Sequence, residues 1–105
     1  MKFLVITRNK DSYYTFSPVK QMEIATGAIA VVDKYLKAGK LKDIYYHLDL
    51  MGSVSIWEVE SSEEAARINL ENPMLHFADI ERIPLVEYDV GKKLRMEALE
   101  KAAKK

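Results

Sequence analysis

The spacing of apolar and polar residues changes period several times along this chain, and each change predicts a boundary between elements. Lys2 to Arg8 is a near-continuous β-branched and aromatic run, which predicts a strand covered on both faces. Asn9 to Phe16 is polar and turn-rich, although it carries Tyr13, Tyr14 and Phe16. Ser17-Pro18 then predicts a helix start, because proline at the first helical position gives up no hydrogen bond. The helix is expected to reach about Ala38. Met22, Ala25, Ile29, Val32 and Leu36 form one stripe on it, and Ile24, Ala28, Val31 and Tyr35 a second. One stripe suits a sheet; the other needs a subunit or a ligand.

Gly39 stands where a helix end favours a left-handed residue. A strand is expected from Leu41 to about Asp49, with Leu50-Met51-Gly52 as a hairpin connection. Ser53 to Glu60 alternates with period 2, Val54 and Ile56 on one side and a partly apolar set containing Trp57 and Val59 on the other. Ser61 or Ser62 caps a second helix, Glu63 and Glu64 match the positive end of its dipole, and Pro73 closes it. A loop over Asn72 to Ala78, a strand over Asp79 to Val90 and a charged helix from Gly91 complete the chain.

The order β-α-β-β-α-β-α predicts an α+β, ferredoxin-like domain over residues 1–90, with an antiparallel four-stranded sheet, and a helical tail over 91–105. Helices cover only one sheet face in this topology. A dimer pairing two such sheets into a barrel would cover the other.

Composition narrows the classes. At 105 residues, 49% of them apolar and none of them cysteine, the chain has more apolar surface than a small monomer easily covers, so a homodimer or higher oligomer is expected. Sixteen Lys plus Arg balance sixteen Asp plus Glu, and the basic concentration lies in the C-terminal run from Lys92, which argues against nucleic acid. MKFLVITR reads as a strand rather than a signal peptide, and no window approaches the ~20 apolar residues of a membrane span. A soluble, cytoplasmic protein with no membrane partner is expected. No metal-ligand spacing, glycine-rich phosphate loop or nucleophile elbow occurs, so no metal site is expected.

Candidate chemistry is sparse. Pairing Asp49 with Ser53 would place His47 opposite Ser55 and Tyr45 opposite Trp57 on one sheet face. Ile44, Tyr46, Leu48, Val54 and Ile56, with Glu58 near the end, would then face the helices. Glu58 on an apolar face would have a raised pKa and could abstract a carbon-bound proton, or it could pair with Arg82 or Lys42. His47 is a candidate acid or base, or simply a histidine in a polar dimer interface; His76 sits in the loop before the fourth strand. Tyr13 and Tyr14 could close over a ligand or only anchor their loop, and Trp57 could stack on an aromatic ligand or belong to the core. Leu94, Ala98, Leu99 and Ala102 give the terminal helix one apolar side, suited to its own dimer.

Gly39 at the helix end, Tyr45, the run Ser55-Ile56-Trp57-Glu58-Val59, the acidic start of the second helix and Pro73 together resemble the muconolactone isomerase family of dimeric α+β barrel proteins. The resemblance covers a little under half of the chain. It implies isomerisation by proton transfer, without metal or organic cofactor. The first helix departs from the family: where a Lys- and Glu-rich stretch belongs, this chain has Ala25-Thr26-Gly27-Ala28-Ile29-Ala30. Ala25, Gly27 and Ala28 therefore point to a larger or more apolar ligand, and Gly27, costing about 1 kcal/mol inside a helix, marks a close approach. The expected function is a cofactor-independent isomerase or proton-transfer enzyme on a small apolar or aromatic metabolite. The alternatives are a noncatalytic binding or structural barrel protein and a cofactor-free oxygenase or haem-degrading protein of the same superfamily.

Overall fold

The structure, a computed structural model, describes residues 1–104. Strand β1 (Lys2–Asn9) leads through a short helix α1 (Asp11–Tyr14) into the long helix α2 (Pro18–Lys37). Strands β2 (Leu41–Tyr46) and β3 (Gly52–Glu58) form a hairpin, followed by helix α3 (Ser62–Glu71), strand β4 (Ala78–Leu85) and helix α4 (Tyr88–Ala103). The sheet is antiparallel with order β2-β3-β1-β4, and the fold is ferredoxin-like α+β.

Local chemistry sets the helix ends. Ser17 Oγ accepts the Lys20 N–H at 3.2 Å, with Pro18 in the first turn, and Ser61 Oγ accepts the Glu64 N–H at 3.1 Å. Ser61, not Ser62, is thus the cap. Gly39 ends α2 with φ 76°, the left-handed conformation that side chains resist.

Phe3, Tyr35, Leu41, Val59 and Ile68 form the buried core between the sheet and helices α2 and α3. Tyr35 Oη donates to the Glu71 carboxylate, and Lys34 Nζ reaches the same carboxylate at 2.7 Å, joining the two helices. Hydrogen bonds from Lys34 and then Tyr35 hold the Glu71 carboxyl below its ordinary value. A depressed carboxyl contributes stability above its unfolded pKa and loses it as pH falls through the folded value. Glu71→Gln is accordingly expected to destabilise the protein more at pH 7 than at pH 3 in urea titrations.

The hairpin register departs from the expected one. Tyr46 pairs with Ser53, Tyr45 with Val54 and Ile44 with Ser55. The chain reverses through His47 to Met51, where Leu50 N–H donates to His47 O at 2.8 Å and Leu50 adopts φ 62°. Asp49 therefore lies in the turn, accepting the Met51 N–H at 2.9 Å, instead of ending a strand. The longer turn shifts β3 by an odd number of residues, which exchanges its faces. Ser53, Ser55 and Trp57 face the helices with Phe3, Val5, Thr7, Ile44, Ile80 and Arg82. Val54, Ile56 and Glu58 lie on the outer face with Leu4, Ile6, Tyr45 and Ile83.

Among the described residues no helix is long and apolar enough to cross a membrane. Helix α4 contributes no buried residue, leaving Leu94 and Leu99 about half exposed, and the molecule extends over 62 × 29 × 24 Å.

Candidate functional site

A cavity of about 460 Å³ opens between α2, the inner sheet face and α1, within the ~300–1,000 Å³ common for small-molecule sites. Small side chains on α2 make the room: Ala25 and Ala28 face the sheet where larger residues would fill it. Ile29, Val32, Ile44 and Ile80 supply apolar wall. Thr7 and Ser53 lie on the floor, their hydroxyls bonded to each other at 2.9 Å. A smaller space of about 90 Å³ continues towards α3, sharing Thr7, Ala28, Ser53 and Asn72 and reaching Ser55, Trp57, Asn69 and Arg82.

Helix α1 brings two phenols to the mouth. Tyr13 is buried, stacks edge-on against Tyr14 with centroids 5.1 Å apart, and donates its hydroxyl to Gln21 O at 2.8 Å. Burial, then the neighbouring Tyr14, raises the Tyr13 pKa and keeps it a donor at neutral pH. Tyr14 Oη accepts from Asn9 Nδ2 at 3.0 Å, which leaves its own proton for another acceptor. Trp57 packs on Tyr35 at 5.8 Å and donates its indole N–H to Ser55 Oγ at 2.9 Å.

Of the residues singled out in the sequence, Tyr13, Tyr14, Ala25 and Ala28 line the main cavity, and Trp57 lines its inner extension. Gly27 does not; a Cβ there would meet Pro73 Cγ at 3.0 Å, so its close approach is to the turn after α3 rather than to a ligand. Tyr45 is 66% exposed on the outer face, opposite Val54 and not Trp57. Glu58, expected against the helices, lies exposed on the outer face, away from Arg82, which bonds Asn69 instead.

His47 stands beside the hairpin with Nδ1 3.3 Å from Arg8 Nη1, while Arg8 makes a two-pronged pair with Asp49 at 3.0 and 2.6 Å. That pair holds the Asp49 carboxyl below its ordinary value. His76 is exposed in the turn between α3 and β4. Among the described residues, the lining of neither space contains a carboxylate or an imidazole. Among the described residues no group of His, Asp and Glu is arranged to hold a metal ion.

Sequence reasoning passed over the polar floor and inner end: Thr7, Ser53, Ser55, Asn69, Asn72 and Arg82. The alternation of Ser53 and Ser55 with Val54 and Ile56 carried the signal, obscured by the assumed register.

No protein-family model matches this chain, and no curated protein matches it in sequence. Among solved structures, the fold is shared with 5-chloro-2-hydroxyhydroquinone dehydrochlorinase from Burkholderia phenoliruptrix AC1100, solved in complex with 2,5-dihydroxybenzoquinone. The TM-score is 0.66 at 18% identity, covering 85% of this chain and 97% of the other.

Proposed function

We propose that this chain binds a small, largely aromatic or apolar metabolite in the cavity beneath α2 and promotes cofactor-independent isomerisation or proton transfer. The observation that carries binding is the cavity itself: aliphatic walls, a hydroxyl floor and two phenols at the mouth. Flat rings with a few oxygen substituents suit such a lining. The dehydrochlorinase of the same fold was solved with a molecule of that kind. Tyr14, whose oxygen is occupied by Asn9, is the acid closest to hand. His47, Glu58 and His76 take part only if a second copy or a moved loop brings them to the mouth.

The second reading, binding without turnover, is favoured by the lack of any carboxylate or imidazole in the lining. Calorimetric titration with 2,5-dihydroxybenzoquinone tests binding, and proton NMR in heavy water separates the two readings. Catalysed exchange of the ligand's ring hydrogens, abolished in Tyr14→Phe, supports proton transfer; binding without exchange supports the second reading, and no binding contradicts both.

A second copy is proposed to cover the outer sheet face, where Leu4, Ile6, Val54, Ile56 and Ile83 are only half-buried. Sedimentation equilibrium is expected to give a dimer mass, and Ile56→Asp, which would bury a charge between the sheets, to give a monomer.

A further inference from the structure

Among the described residues, Leu50 alone takes a left-handed backbone conformation without being a glycine, with φ 62°. Glycine or asparagine fills such a position at little cost, whereas a leucine strains against its own Cβ. The turn holds it there. Leu50 N–H donates to His47 O at 2.8 Å, and Asn9 N–H donates to Met51 O at 2.8 Å. Asp49 is fixed between the Arg8 guanidinium and the Met51 N–H. Backbone strain kept in place by its surroundings is characteristic of ligand clamps, where a particular side chain has to be presented.

The side chain so presented is 71% exposed and lines the cavity. Two other lining residues share that condition: Ile29 of α2 is 45% exposed, and Tyr46 at the end of β2 is 63% exposed. Deeper in the cavity, Ala25, Ala28, Val32 and Ile44 are half-buried. The apolar wall therefore continues past the rim, between α2 and the hairpin, over the edge strand β2. A ligand longer than the cavity would cover it.

We propose that Ile29, Tyr46 and Leu50 form an apolar lip that receives an alkyl substituent, so that the ligand is an alkyl-substituted ring. The ring lies in the cavity, and its chain leaves between α2 and the hairpin. Leu50 is the specificity-determining residue. The inference rests on the cavity being a ligand site, and it adds the ligand's shape and the direction of its substituent.

The probes are 2,5-dihydroxybenzoquinone and its 3-butyl derivative, compared by calorimetric titration. Methylenes covered by the lip are expected to make the butyl compound bind the wild type at least about tenfold tighter than its parent. Leu50→Asn should cut that ratio to about three or less. The same variant should melt roughly 3 °C higher than the wild type, because asparagine accepts the left-handed backbone. A merely structural leucine would not combine higher stability with lost discrimination. Leu50→Met keeps the apolar reach and should keep the ratio. Should Leu50→Asn fail to fold, Ile29→Ser removes the opposite side of the lip and should lower the ratio in the same way. Equal binding of the two probes by the wild type, or a ratio that survives both polar variants, would overturn the lip and leave the cavity to unsubstituted rings. A Leu50→Asn variant that loses its dimer at an unchanged ratio would assign Leu50 to subunit contact and overturn the lip likewise. Absence of binding by both probes would overturn the ligand site itself.

Discussion

Gly52→Ala is expected to destabilise the protein by about 3 kcal/mol or more, at or above the upper end of ordinary overpacking. Gly52 opens β3 opposite Arg8, and its missing side chain would point to the outer face. A Cβ built there overlaps the Thr7 carbonyl oxygen and comes within 2.7 Å of His47 Nδ1 and 2.9 Å of its Cε1. The imidazole could swing away at modest cost. The carbonyl could not, because it belongs to the β1 backbone, paired on both sides with β3 and β4. Relief would require β1 and β3 to part where Thr7 and Ser53 form the cavity floor. Urea denaturation measures the effect as a lowered midpoint. The double variant His47→Ala/Gly52→Ala should recover little of it, since the backbone clash remains; a change within about 0.5 kcal/mol for the single variant would show that the strands yield more readily than the contact implies.

Ala28→Trp is expected to reduce affinity for 2,5-dihydroxybenzoquinone by at least about a hundredfold, equivalent to ~2.7 kcal/mol of binding free energy. Ala28 is a half-buried residue of α2 that lines both the main cavity and its inner extension. An indole placed there enters space that is otherwise open, so it competes with a ligand directly while the α2 backbone and its caps are untouched. Affinity should fall far more than the melting temperature. Unchanged affinity in a folded Ala28→Trp variant would place the bound molecule elsewhere.

Much of the scaffold was legible in the sequence because its signals are local. Ser17-Pro18 and Ser61 cap the two helices by contacts within one turn, and Gly39 ends α2 in a conformation that glycine favours. Tyr13, Tyr14, Ala25 and Ala28 pointed to the cavity because bulky phenols and small helix residues shape space wherever the sheet lies. The facing of β3 was not legible. It depends on the parity of a turn in which Leu50, not a glycine, takes the left-handed position, and nothing in Leu48-Asp49-Leu50 signals it. That single parity moved Glu58 outward and Trp57, Ser53 and Ser55 inward. Arg82 entered the sequence reading only as a partner for Glu58; the same parity puts the two on opposite faces, with Arg82 exposed at the edge of the smaller space.

The central claim, that a small aromatic molecule occupies the space beneath α2, is tested most directly by amide chemical-shift mapping during titration with 2,5-dihydroxybenzoquinone. Shifts should concentrate at Tyr13, Ala25, Ala28, Val32 and Ser53, which line the cavity, and leave Tyr45 and Glu58 on the outer face unmoved. Shifts confined to the outer face, or none at saturating ligand, would contradict it.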